Sequence, residues 1–105
     1  MVSVSKIRGL DGQPRLRGHV ATRLTRLLTR RRITPRSVRV AFHDDDGPRG
    51  GVAIRCALTM RVPGRSLIRV EHTARTHRAA FDGSFAILER QLRRRVTRRM
   101  RRLPA

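Results

Sequence analysis

The sequence predicts an α+β domain with the element order β-α-β-β-β-α, and three observations carry that prediction. Two segments, one early and one at the C-terminal end, place apolar residues at steps of three and four, the period of a helix. Between them, three stretches alternate apolar and polar residues with the period of a half-buried strand. Clusters of Gly, Pro and Asp separate these segments and supply the turn chemistry that a change of direction needs. With 105 residues the chain is one domain with one core, large enough to hide about two thirds of its unfolded surface.

The first strand is the weakest element: Val2 and Val4 alternate with Ser3 and Ser5 over "VSVSKI", and Ile7 adds an apolar residue at its end but out of step. After the turn signal "DGQP", Pro14 is well placed as a first helical residue, and Leu16, Val20, Leu24, Leu27 and Leu28 follow at helical steps. This predicts an amphipathic helix over 15–31 whose other face carries Arg17, Arg23, Arg26 and Arg30. It must stop near Ile33, because Thr34 precedes Pro35 and is pushed toward extended geometry.

In "SVRVAF", Val38, Val40 and Phe42 point one way while Arg39 and Ala41 point the other. From 52 to 62 the even positions Val52, Ile54, Cys56, Leu58, Met60 and Val62 form the apolar face of a third strand. "VPGR" puts Pro63 and Gly64 at the centre of a tight turn of type II character. The fourth strand, "SLIRVEHT", then carries Ile68, Val70 and His72 on one side, so that three antiparallel strands follow one another. Finally, with Thr76 as cap, Phe81, Phe85, Leu88, Leu92, Val96, Met100 and Leu103 predict a helix over 77–101. At 1.5 Å per residue such a helix is about 37 Å long and overhangs a strand of about 20 Å. The Arg-rich end, 93–105, is expected to project beyond the sheet or to fray without an anionic partner.

Composition narrows the function. There are 26 basic residues, of which Lys6 is the only lysine, against 7 acids, giving a formal charge of +19. An excess of that size repels itself in a compact domain and points to a polyanionic partner, most often nucleic acid. A single cysteine, Cys56, excludes an intrachain disulfide, and no Cys/His spacing fits a zinc site. Its strand position makes Cys56 a buried small hydrophobe. The N-terminal residues lack the apolar core of a signal peptide, and "FAIL" is the longest apolar run, so a soluble, cytoplasmic protein without membrane contact is expected.

Enzymatic chemistry finds no support. His19, His43, His72 and His77 are dispersed, no nucleophile–base–orienter set emerges, and no cofactor or small-molecule substrate is implied. His72, on the apolar side of its strand, reads as packed. The stretch "HDDDGPRGG" falls in the loop of the first hairpin, where Asp and Gly satisfy turn geometry, and its spacing does not match a calcium loop. Three adjacent carboxylates repel phosphate, so their side chains are expected to pair with Arg49 or Arg55 on a face that nucleic acid avoids. The arginines of the two helices, by contrast, are expected to converge into a single cationic wall.

The segments "VRVAFHDDDGPRGG", "IRCALTMRVPG" and "AAFDGSFAILERQLRRR" resemble the short branch of the ribosome hibernation-promoting factor family, also called the ribosome-associated inhibitor or sigma-54 modulation family. The likeness runs over about residues 34–98. It implies a four-stranded sheet with two helices packed on one face, and binding to rRNA in the mRNA and tRNA channel of the small ribosomal subunit. Translation would be inhibited sterically. Carried over by position, the RNA-binding candidates are Arg23, Arg26 and Arg30 on the first helix and Arg90, Arg93, Arg94 and Arg98 on the second. The sequence departs from the family at Thr76, Arg78 and Ile87, where an acid, an aromatic and a basic residue are usual. Longer members carry a further domain that pairs two ribosomes, for which these residues leave no room; the resemblance is compatible both with a separate dimerising factor as partner and with single ribosomes held inactive. Two other readings fit the charge: a general binder of double-stranded RNA or of the nucleoid, and a constitutive ribosomal protein.

Overall fold

The computed structural model describes residues 6–45 and 53–102, and of residues 94–102 only the backbone. Six elements follow in the expected order: β1 (Lys6–Arg8), α1 (Pro14–Arg30), β2 (Ser37–Asp44), β3 (Ile54–Arg61), β4 (Ile68–Ala74) and α2 (His77–Arg102). The alternation expected at Val2 and Val4, and the loop positions 46–52 with Arg49, lie outside the described residues.

The strands form one sheet in the order β1-β2-β3-β4. β1 runs parallel to β2, and β2, β3 and β4 are mutually antiparallel. A parallel neighbour cannot be reached by a hairpin, so α1 serves as the crossover between β1 and β2. The turn between β3 and β4 is as the sequence predicts: Gly64 has φ +75° and the Arg65 N–H donates to the Val62 carbonyl at 3.1 Å, the signature of a type II turn.

The core lies between one face of the sheet and both helices. Val38, Val40 and Phe42 of β2, Ile54, Cys56, Leu58 and Met60 of β3, and Ile68 and Val70 of β4 are buried on that face. Val20, Leu24, Leu27 and Leu28 of α1 and Phe81, Phe85, Leu88 and Leu92 of α2 close over them. Both apolar stripes of the sequence therefore meet one side of the sheet and leave the other uncovered.

The helix ends are set by local chemistry. Pro14 opens α1, where its missing N–H is not needed. α1 ends before the Thr34–Pro35 pair can act: Arg32 takes φ +56°, its N–H donates to the Thr29 carbonyl at 3.1 Å, and the Ile33 N–H donates to the Leu28 carbonyl at 2.9 Å. This is a Schellman closure with arginine in the position that usually holds glycine. At the start of α2, Thr76 Oγ1 accepts from the Ala79 N–H at 3.0 Å, the expected cap. α2 has 26 residues, about 39 Å at helical rise, whereas an eight-residue strand spans about 27 Å. Leu92 is its last buried position among the described side chains.

Candidate nucleic-acid interface

Successive contacts between the helices occur at residues 19 with 81 and 82, 23 with 85, and 30 with 89, so α1 and α2 run side by side in the same direction. Each contact is partly electrostatic. His19 stands edge-on to Phe81 at 5.9 Å between ring centroids, with Nε2 3.9 Å from Asp82 Oδ1. The Arg23 guanidinium lies 4.5 Å above the Phe85 ring, a cation–π contact that holds a half-buried arginine in place. Arg30 reaches Glu89 at 3.6 Å.

Three of the expected binding residues, Arg26, Arg90 and Arg93, are exposed on this helical layer. Arg23 and Arg30 are there too, but the first is anchored on an aromatic ring and the second faces a carboxylate. The side chains of Arg94 and Arg98 lie outside the described residues.

The first turns of the two helices are neighbours, and a shallow depression between them is lined by Gln13, Arg15, Leu16, Thr76, His77 and Arg78. Neither first turn contains an acid. Parallel helices present their positive dipole ends together, and with Arg15 and Arg78 alongside, this end of the layer attracts anions. Sequence periodicity did not single out Arg15 and Arg78 because the parallel arrangement of the helices is a tertiary fact.

The expectation of one cationic wall needs correction. Asp82 and Glu89 stand among the helical cations, with Arg78 3.7 Å from Asp82 and Arg30 near Glu89. A second set of cations occupies the uncovered face of the sheet, because the polar half of each strand's alternation is also rich in arginine. The acids are therefore interleaved with the cations on both faces, where short ion pairs offset part of the repulsion.

On the uncovered face one residue of the acidic loop, Asp45, pairs with Arg55 as expected, but Arg39 and Arg69 stand on the same face, which is therefore not set apart from the cations. Asp45 Oδ2 accepts from Arg55 Nε at 2.8 Å, and Arg55 also approaches Glu71 at 3.6 Å, itself held by Arg69 at 2.6 Å. The hydrogen bond from Arg55 holds the Asp45 carboxyl below its usual range, and that from Arg69 does the same for Glu71. Both stay anionic and are occupied by arginine.

The remaining titratable groups do structural work. His19 is held below its ordinary pKa, first by burial and then by the charges of Arg78 and Arg23, against a smaller opposing pull from Asp82. His72 is exposed overall, yet its imidazole lies directly against Gly83 of α2, which qualifies the expectation of a packed side chain. His77 tilts against Phe42 at 5.6 Å. Burial pushes the Cys56 thiol up to about 12, leaving it protonated and unreactive at neutral pH. Ser84, buried in α2, donates to the Cys56 carbonyl at 2.7 Å and thereby ties the helix to the centre of the sheet. Among the described residues, no helix is long and apolar enough to cross a membrane.

Comparison with known proteins agrees with this architecture. A family model described as "Sigma 54 modulation protein / S30EA ribosomal protein" matches residues 4–100. Among solved structures, the crystal structure of the N-terminal domain of Thermus thermophilus Protein Y is similar, with a TM-score of 0.68 and 23% sequence identity over 89% of this chain and 98% of that one. No curated protein gives a significant match.

Proposed function

Because the chain belongs to the sigma 54 modulation protein / S30EA ribosomal protein family, we propose that it is a ribosome hibernation factor. It binds rRNA in the mRNA and tRNA channel of the small subunit and blocks translation by occupying that space. The observation that carries this reading is the family match over residues 4–100. The helical layer supplies the chemistry: Arg26, Arg90 and Arg93 are exposed there, and Arg23 is pre-set on Phe85. Guanidinium groups make bidentate contacts to phosphate, and structured RNA is bound chiefly through backbone and shape, which suits a surface poor in base-stacking aromatics. Arg94 and Arg98, which follow in the sequence of α2, belong to the same proposed set. Inhibition is steric, with no bond made or broken.

A constitutive ribosomal protein is the second reading, favoured by the second half of the family's description. A general duplex binder shares the charge but not the family. One experiment separates the three. Sucrose-gradient fractions from growing and stationary cells are probed for the protein, in its unmodified form and with Arg26→Glu and Arg90→Glu. A hibernation factor accumulates with ribosomal particles when growth stops and leaves them in the variant. Constant occupancy during growth selects the constitutive reading, and protein remaining at the top of the gradient in both states overturns both.

A further inference from the structure

The register of the sheet aligns polar side chains in rows across its uncovered face. Lys6 pairs with Arg39, Arg39 with Thr59, and Thr59 with Arg69, so one row crosses all four strands. The next row on the same face reads Arg8, Ala41, Ala57, Glu71. With strands about 4.8 Å apart, each row is about 14 Å long.

Between the rows lies a depression of about 270 Å³. Its floor is made of small residues, Ala41, Ala57 and Thr59, and its rim of Lys6, Arg8, Arg39 and Arg69. Ala57 faces away from the helices yet is only 4% exposed, between Ala41 and Glu71 on the neighbouring strands.

This arrangement works against folding. Like charges directly opposite one another on neighbouring strands destabilise a sheet, and Lys6 faces Arg39 across the parallel pair. On this face the strands carry Lys6, Arg8, Arg39, Arg55, Arg61 and Arg69 against Glu71, with Asp45 just beyond β2: six cations and two acids, a net +4. Both acids are already engaged, Asp45 by Arg55 and Glu71 by Arg69 and Arg55. Among the described residues, no ion pair is formed by Lys6, Arg8 or Arg39. A basin walled by cations and floored by alanine and threonine is suited to a chain of anions, since the row is long enough to face more than one successive phosphate of a strand.

We propose that the uncovered face of the sheet is a second RNA-binding surface, taking the phosphodiester backbone of one RNA strand in the basin between Lys6, Arg8 and Arg39, so that the domain is held by RNA from both sides. The inference rests on the reading that the partner is RNA. Its recognition is chiefly of backbone: no Phe lies on this face among the described residues, and His43 at the edge of the depression offers one ring where stacking of successive bases needs several.

The test uses the full chain with Arg26→Glu and Arg90→Glu, which weakens binding through the helical layer, and adds Lys6→Ala with Arg39→Thr. Binding of a 16-nucleotide RNA is followed across a salt series, with the Ala57 methyl resonance as a local reporter. The added pair is expected to lower affinity about tenfold and to reduce the slope of log affinity against log salt by about 1 to 2. Thermal stability should hold or rise, since a repulsion is removed, so weaker binding is not a folding defect. An unchanged slope with a silent Ala57 methyl overturns the proposal. Equal displacement by polyglutamate, or preference for phosphatidylserine vesicles, overturns the assignment to RNA. If the unmodified protein fails to sediment with small subunits but Lys6→Ala with Arg39→Thr still reduces the slope, the ribosomal reading falls and this surface stands.

Discussion

The His72 imidazole rests against the α-carbon of Gly83, so that the space a β-carbon would occupy at Gly83 is filled by that ring. His72 pairs with Cys56 across β3 and β4, and Ser84, next to Gly83, bonds the Cys56 carbonyl. The Gly-Ser pair thus lets α2 approach the sheet where β4 offers a ring in place of an aliphatic side chain.

A sign reversal follows from that contact. On an ordinary helix, Gly→Ala gains about 1 kcal/mol from propensity, but overpacking typically costs about 1–3 kcal/mol. Gly83→Ala should therefore lower stability in the parent chain. In a His72→Ala background, where the atoms nearest to the new methyl are gone, the same substitution should raise it. Thermal or denaturant unfolding of the four proteins measures the coupling; additive effects would show that His72 does not set the spacing.

Arg23 and Arg26 lie on one helix and should separate by a second readout. Arg23 stands 4.5 Å above Phe85, a contact worth about 0.5–1 kcal/mol where solvent is near. Arg23→Ala should lower both unfolding free energy and ribosome co-sedimentation. Arg26→Ala should weaken co-sedimentation and leave the unfolding transition in place. Equal transitions for the two variants would mean that the aromatic contact contributes nothing in solution.

Arg32 closes α1 with φ +56°. A non-glycine residue in the left-handed region costs about 1–2 kcal/mol, while glycine loses about 0.5–1 kcal/mol in backbone entropy. Arg32→Gly should therefore stabilise the domain by about 0.5–1 kcal/mol, read as a higher unfolding midpoint at unchanged denaturant dependence. A lower midpoint would mean that the Arg32 side chain contributes more than its backbone strain costs.

Periodicity and the choice of buried face were legible because they depend on near neighbours. Val38, Val40 and Phe42 alternate, Phe81, Phe85, Leu88 and Leu92 recur, and every one of these is buried on the expected side. Thr76 and Gly64 carried their own local signatures, and the pairing of an acidic-loop residue with Arg55 followed from charge in a hairpin. What could not be read was anything set by two distant segments at once. The alignment of particular positions along α1 and α2 brings Glu89 to Arg30 and joins the two first turns, and no spacing within one segment encodes that. The same holds for Gly83, which resembles a weak helix position until His72 is placed against it. The prominence of the helical arginines also concealed the uncovered face, because Lys6, Arg39 and Arg69 look like ordinary outward strand residues until the register aligns them.

His19 makes the last prediction. Its ordinary value is 6.5, and burial together with the charges of Arg78 and Arg23 lowers it in the folded protein, with Asp82 opposing. The unfolded chain therefore binds more protons than the folded one between the lowered value and 6.5, and stability must fall as pH drops through that window. Above it the imidazole is neutral in both states and the contribution is constant. Asp45 and Glu71, whose ordinary values are 3.8 and 4.5 and are also lowered, lose their stabilising charge only at more acidic pH, so the two effects occupy different ranges. In His19→Gln the loss of stability between about pH 7 and pH 5.5 should be smaller than in the parent, with the steeper loss below about pH 4 retained. Unfolding measured at matched ionic strength decides it: identical profiles for both proteins would mean that the His19 proton is not coupled to the seam between the helices.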